Sequence, residues 1–377
     1  MALGDSSHSP ADLVVVGGGI VGLAHAVEAH HRGLSVIVVE RDDRATGASV
    51  RNFGHGCITA QAGQALAYAQ QARATWLRVA KDADLWISEA GTVVVARADD
   101  ELAALTQLAG IRDGDVSLLD RRAVLDRVAV GDDEIIGGAH FTRDIRVDPR
   151  LAVGAIASWL EAQTGAHVRF GVNVVGVEPG RVLTPAGEIH GRAIAVCLGH
   201  DVDRLYPDLA RDAGVQRCAL HMLAVAPPAG ARYEPAVLSG LSMLRYPAFG
   251  DCAAIADVRA RLAVESPELL GVDMNLMFTQ RPNGDLLIGD THAYARTVDP
   301  FADESIDQLV LREASRLLGA PRLVVRQRWR GVYAAAAGDF LVAAPSDGVR
   351  VVTVTSGIGM TTAFGLAADV LDGLGAA

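Results

Sequence analysis

One lysine, Lys81, stands in 377 residues, so nearly all the positive charge is arginine. The formal net charge of −11 leaves no basic surface of the kind a nucleic acid needs. The four cysteines, Cys57, Cys197, Cys218 and Cys252, lie far apart with no C-x-x-C. Neither a zinc site nor a disulfide framework is indicated, and a reducing cytoplasm fits. Long apolar runs are missing too. The best one, near residue 20, is rich in glycine and broken by His25 and Glu28, so it is no membrane span. Residues 1–12 lack a basic n-region and read as a frayed tail rather than a targeting segment. No repeat or low-complexity segment is present.

What is there is enough apolar residue, 50%, for a sizeable core, and enough chain for two or three domains. The organising stretch runs from Asp12 to Glu40. Leu13–Val16 is a short, β-branched apolar run, which predicts a buried parallel strand. Gly17, Gly19 and Gly22 follow at dinucleotide-binding spacing. Gly17 permits the tight turn, Gly19 a close approach of backbone to pyrophosphate, and Gly22 close helix–strand packing. The predicted helix, Ile20 to His31, brings the first-turn N–H groups of Ile20 and Val21 and the positive dipole end to that phosphate. Gly33 ends the helix, and Ser35–Val39 is the next strand. It terminates in Glu40, whose carboxylate suits the two ribose hydroxyls of an adenosine and repels a 2′-phosphate, disfavouring NADP. The pattern predicts ADP binding without separating FAD from NAD.

Further along, helices are predicted over 63–80, 99–108 and from Pro149, capped by Asp148, to Leu160. Strands are predicted over Thr92–Ala96, His167–Glu178, Val182–Leu183, Glu188–His190 and Ala193–Leu198. More are predicted over Gln216–Ala226, Ser242–Tyr246, Asp273–Gln280 and Asp285–Ile288. Arg281–Gly284 reads as a hairpin turn. A helix over 303–318 precedes a strand, Val324–Val332, expected to end near Gly331, then a strand at Val351–Val354. Thr355–Thr362 is a second glycine-rich strand-to-helix turn, aiming backbone N–H groups at something anionic, and a last helix runs to Leu374.

The loop Arg41–Gly56, with its G-A-S-x-R-N-x-G run after an acid-ended strand, resembles the D-amino-acid oxidase, glycine oxidase and sarcosine oxidase superfamily of flavoproteins. The resemblance covers the chain after residue 11. It implies an α/β fold: a Rossmann-like FAD-binding domain of glutathione-reductase type and an α+β substrate domain on an antiparallel sheet. Residues 11–88, 141–214 and 324–377 would form the first, and 89–140 and 215–323 the second. It places FAD against Gly17, Gly19, Ile20, Val21, Gly22, Glu40 and Arg41. The loop residues Ser49, Arg51, Asn52, Gly54 and His55 would join them, with Gly56 near the flavin ring. So would Val174 by its backbone, Gly199, Gly331, and the late turn with Gly357, Gly359, Met360 and Thr361. The blocks ASVRNFG, LRYPAF, NLMFTQRPNGDLLIGDTHAY and TSGIGMT resemble a subgroup associated with phosphonate breakdown. The implied reaction is oxidation of a small anionic amine of the 2-aminoethylphosphonate type, N-methylated or not. Hydride passes to flavin N5, the imine hydrolyses to an aldehyde, and O₂ becomes H₂O₂.

One departure bears on substrate. Relatives that oxidise glycine or D-amino acids carry W-x-G-L-R-P, whose arginine clamps a carboxylate. This chain has Tyr333 at that place and Arg330 three residues earlier. A simple α-amino acid is therefore disfavoured, and His55, Tyr246, His292, Tyr333 and Arg330 are the expected substrate-facing residues, with Arg245 and Arg281 as further anion donors. The bland readings stay open: His292 as a structural histidine, Tyr246 as packing, Arg281 as a solvated turn residue. Sarcosine oxidases of the resembling superfamily often carry a flavin-bonding cysteine just after the glycine that matches Gly331; none follows it here, so the resemblance implies non-covalent FAD. The flavin-side lysine that activates O₂ in some members of that superfamily is also missing, since Lys81 is the only lysine, so a dehydrogenase with another acceptor stands beside the oxidase. A glycine, sarcosine or D-amino-acid oxidase, an NAD-only dehydrogenase and a non-catalytic nucleotide-binding protein also stay open. The expected partners are the substrate, the electron acceptor and a second copy of the chain, without nucleic acid, membrane or metal.

Overall fold

Leu13, Val14 and Val15 are completely buried because both edges and both faces of their strand are covered in the computed structural model, which describes residues 10–131 and 133–375. The expected N-terminal tail lies almost wholly outside these residues. The strand Ala11–Val16 pairs in parallel with Val36–Val39 on one side and with Gly187–Val196 on the other. Ala166–Arg169 extends the sheet beyond Val36–Val39, and Val349–Ser356 extends it beyond Gly187–Val196, again in parallel. Helices Ile20–His31, Gly63–Asp82, Pro149–Glu161 and Gly359–Gly373 supply the apolar layer against it. The helices Gly63–Asp82 and Gly359–Gly373 cross so closely that a Cβ on Gly365 would lie 2.3 Å from the Tyr68 carbonyl oxygen. Trp76 is buried at this crossing, edge-on to Phe364, and its indole N–H donates to the Met360 carbonyl.

The other half of the molecule continues the same sheet. Gln216–Val225, Leu286–Gly289 and Met277–Gln280 run antiparallel to their neighbours, as expected. The sheet is mixed rather than purely antiparallel, because Ala236–Leu238 pairs in parallel with Thr92–Ala96. The two halves are joined by one strand of 22 residues, Val325–Ser346. Its first part pairs with Gln216–Val225 and its last part with Val349–Ser356. The expected end near Gly331 is therefore wrong. The glycine sits inside the strand, where a Cβ would meet Leu220 at 3.0 Å.

Three other expectations change. Ser242–Tyr246 is not a strand: Gly240–Met243 is a short helix, held when Ser239 and Ser242 hydroxyls both donate to the Leu276 carbonyl. Ladder pairing in Asp273–Gln280 begins only at Met277, since Asn275 exchanges backbone hydrogen bonds with Asp290 instead. His167–Glu178 is broken at Gly171 (φ 73°), which leaves residues 170–175 as irregular chain. The helix over residues 303–318 appears with Asp303 as its cap and Gly319 in the left-handed region at its end, as the residue types require. Among the described residues no helix is long and apolar enough to cross a membrane.

Candidate active site

The three early glycines act by sterics. At Gly17 (φ 110°) a Cβ would sit 2.4 Å from the Cys197 carbonyl oxygen, and at Gly22 it would sit 1.9 Å from that of Gly17. Gly17 thus borders the cleft, while Gly22 is a packing residue off the lining. Helix Ile20–His31 has no capping side chain of its own at Gly19. Ser49 takes that place from the loop, its hydroxyl accepting from Ile20 N–H at 2.9 Å. The hydroxyl proton is left to donate to an anion, so Ser49 extends the helix's donor set. Glu40 is pinned by Gly18 N–H at 2.7 Å and Asp42 N–H at 3.1 Å, with lone pairs remaining at the cleft. Arg41, Val174 and Gly199 border the same end, and the Arg41 guanidinium lies 3.5 Å from Asp201.

The loop and the late turn close on the middle of the cleft. Asn52 braces the loop, donating to the Ala48 carbonyl at 2.9 Å and accepting from Gly54 N–H at 2.7 Å. Gly54 (φ 67°) and Gly56 turn away from the lining: a Cβ would meet the Val147 carbonyl at 2.0 Å and Ile145 at 2.7 Å respectively. Their missing Cβ atoms serve packing, while their neighbours Phe53, His55 and Cys57 line the cleft. Arg51 borders the cleft, its carbonyl accepting from the Trp329 indole. Gly357 (φ 78°) leads into helix Gly359–Gly373, which also has no capping side chain, and Gly359, Met360 and Thr361 line the cleft. A Cβ on Gly357 would lie 2.9 Å from the Tyr333 ring, so turn and phenol are in contact.

Beyond that turn the cleft becomes polar. Arg245 donates through Nη2 to the Tyr333 hydroxyl at 2.7 Å, and through Nη1 to the Tyr294 hydroxyl at 2.8 Å and Asp273 at 3.4 Å. Burial raises the Tyr333 and Tyr246 phenols, so both are neutral donors at ordinary pH. His292 lines the same end, held by Nδ1 to the Asp273 carbonyl at 2.8 Å. His55 is buried, with Nε2 2.8 Å from the Thr92 hydroxyl, which itself donates to Asp144 at 2.7 Å. The Thr92 oxygen must therefore accept from His55 Nε2–H, leaving Nδ1 as a bare acceptor with no partner in the protein. His55, Cys57 and Asp144 offer ligand atoms within 4.8 Å of one another. Asp144, however, already accepts from Ile58 N–H, Thr59 N–H and Thr92, and burial pushes the Cys57 thiol well up, so the cluster is a hydrogen-bonded brace.

Two expected residues fall elsewhere. Arg330 points away from the cleft, its guanidinium donating to the Asp299 and Phe301 carbonyls, because alternate residues of a strand face opposite sides. Arg281 forms an ion pair with Asp148 at 3.0 Å across the cap of helix Pro149–Glu161. Asp290 and Asn275, which line the cleft and are buried, were not anticipated. An acid between an apolar strand and T-H-A-Y is a sequence signal for Asp290. Nothing local marks Asn275.

A single cavity of about 630 Å³ runs from Glu40 and Val174 past the N-termini of both helices to Arg245 and Tyr333. That length, the two helix N-termini and the glycines Gly17, Gly19, Gly357 and Gly359 along the lining fit FAD. The family model described as FAD dependent oxidoreductase (DAO) matches residues 12–372. Glycine oxidase from Geobacillus kaustophilus has the same fold, with a TM-score of 0.75 at 17% identity over 97% of this chain and 95% of that one. L-α-glycerophosphate oxidase from Mycoplasma pneumoniae, a structure with FAD bound, gives 0.73 at 17% identity over 98% and 95%. One component of the anaerobic glycerol-3-phosphate dehydrogenase of Escherichia coli (strain K12) is 45% identical over 62 residues, 16% of this chain and only 11% of that protein's length. The chain belongs to the DAO family of FAD-dependent oxidoreductases.

Proposed function

We propose that this enzyme oxidises a small primary or secondary amine that carries an anionic group, with an aminoalkylphosphonate such as 2-aminoethylphosphonate or its N-methyl derivative as the preferred class. Arg245 is the observation that carries the reading. Its Nη1 protons are engaged by Tyr294 and Asp273, and one Nη2 proton by Tyr333. The Nε–H and the second Nη2–H remain for a ligand. Tyr333 accepts from Arg245, and its own proton is turned to the Cys218 sulfur. Two charged donors side by side suit two oxygens of a phosphonate. The chain's residues orient the amine, exclude water and hold the anion, while bound FAD supplies the two-electron acceptor that takes hydride from the carbon beside nitrogen. The imine then takes up water and splits to an aldehyde and ammonia, or methylamine from the N-methyl substrate.

The Nε and Nη2 protons of Arg245 also match a planar carboxylate side-on, which favours an amino acid of the glycine or sarcosine kind as the second reading. The name of the glycine oxidase with the same fold points the same way. On either reading FAD is non-covalent, and O₂ or another acceptor reoxidises it. Anaerobic mixing with glycine, sarcosine, D-alanine, 2-aminoethylphosphonate and N-methyl-2-aminoethylphosphonate tests the choice by bleaching of the flavin band near 450 nm. Bleaching by the phosphonates is expected. Bleaching by the α-amino acids alone would transfer the assignment to the carboxylate class. Hydrogen peroxide formed per aldehyde in air decides between oxidase and dehydrogenase.

A further inference from the structure

We propose that Asp290, with Asn275 and His292 beside it, is the seat of the substrate's ammonium group and takes its proton before oxidation. The inference rests on the reading that Arg245 holds the anionic end. Amines of this class carry a proton at neutral pH, and a protonated nitrogen has no lone pair to assist departure of hydride from the neighbouring carbon. The enzyme therefore either selects the minor free base from solution or supplies a proton acceptor at the nitrogen end of the cavity.

Three residues present acceptors there. Asp290 Oδ1 is engaged by Asn275 Nδ2 at 2.9 Å, whereas Oδ2 lies 3.7 Å from His292 Nε2, too far for a hydrogen bond. His292 Nδ1 donates to the Asp273 carbonyl, so in the neutral ring Nε2 carries a lone pair facing the carboxylate. Asn275 Oδ1 is buried without a partner. Asp290 and Asn275 are only 4% and 5% exposed, and all three residues line the cavity. A buried carboxylate, a bare imidazole nitrogen and an orphaned amide oxygen lack a donor, and an ammonium group supplies two or three N–H bonds. The charged and titratable groups facing Asp290 are His292, Arg245, Tyr246 and Cys218. Burial raises the Asp290 carboxyl, which brings its proton affinity toward that of the amine it must deprotonate. In the step, one N–H bond breaks and one O–H bond forms on Asp290. The nitrogen keeps the electron pair, and nothing is oxidised until hydride leaves.

The test compares each amine with an isostere bearing carbon in place of nitrogen: 2-aminoethylphosphonate with propylphosphonate, and sarcosine with butyrate. Flavin absorbance titrations give the isostere affinities, and anaerobic rapid mixing gives the amine affinity and bleaching rate. Wild type should bind the amine at least tenfold more tightly than its isostere. Asp290→Asn should lose that preference, keep isostere affinity within twofold and retain FAD. Its bleaching rate should become limited by the free-base fraction in solution, rising tenfold per pH unit below the amine's own pKa. Asp290→Ala should behave likewise. A preference retained by both variants, or an equal loss of amine and isostere, would overturn the proposal. So would a wild type without the preference. Undiminished isostere binding by Arg245→Met would instead sink the anion reading while the Asp290 comparison still stands.

Discussion

Replacing Arg245 by methionine removes the guanidinium and keeps a side chain of similar length and apolar volume. The two N–H groups with no protein partner are the ones at stake for an anionic ligand. A hydrogen bond to a charged group contributes about 1.5–3 kcal/mol. The Arg245 side chain is 26% exposed, so part of that is lost to solvent screening. Two such bonds then contribute about 3 kcal/mol together, or roughly a hundredfold in kcat/KM. The loss should appear for amines carrying phosphonate or carboxylate. For n-propylamine, which has no anion, the ratio should stay within threefold. Arg245→Lys keeps the charge but not the fork, and should fall between. Anaerobic bleaching kinetics read the effect, and the FAD content of the purified protein guards against a folding artefact, because Tyr333 and Tyr294 lose a partner too. An unchanged kcat/KM for the anionic amines, or an equal loss for n-propylamine, would refute the reasoning.

Gly22→Ala should release FAD and destabilise the protein by about 1–3 kcal/mol, because the new methyl group would press on the Gly17 carbonyl at 1.9 Å. Gly154→Ala, which meets nothing within 4 Å, is the control, with FAD content and thermal midpoint equal to or above wild type. His25 is wholly buried, donates through Nδ1 to the Val21 carbonyl, and burial pushes its imidazole down to about 4. The unfolded chain therefore binds more protons than the folded one between pH 6.5 and 4, and stability falls as pH drops through that window, by about 3 kcal/mol from this residue. His25→Leu should flatten that slope in urea melts run from pH 7 to pH 4, leaving the part due to His31 and His200, which burial shifts the same way. An unaltered slope would remove His25 from the account.

The nucleotide end was legible because its signals are local. Strand, glycines, helix and terminal acid all fall between Asp12 and Glu40, and each needs a particular residue type whatever the rest of the chain does. The late turn was legible for the same reason. Gly54 and Gly56 show the limit of such reading: their lack of a side chain serves the contacts with Val147 and Ile145, which no local pattern reveals. Arg330 was misplaced for a related reason. Which face of a strand points into the cleft depends on its partners, and one residue decides it. Gly240–Met243 escapes a sequence reading because its apolar residues are too few to show a period, and the Leu276 carbonyl that receives two serine hydroxyls is remote in sequence.

The substrate end is set by a register. In the 22-residue strand, Tyr333 pairs with Cys218 of the substrate half, and Ala335, two residues on, pairs with Ser356, directly before Gly357. One continuous backbone thus fixes how far the Tyr333 hydroxyl stands from the turn its ring packs against. Arg245 then reaches Tyr333 from the short helix's exit, so the place of the anion relative to the late turn depends on strand pairing more than on loop conformation. A slip of one residue would send Tyr333 to the opposite face and bring Val332 or Ala334 into its place, neither of which can engage Arg245. The same strand carries Arg330 to the outer side, and that is why an arginine three residues early cannot stand in for one at position 333.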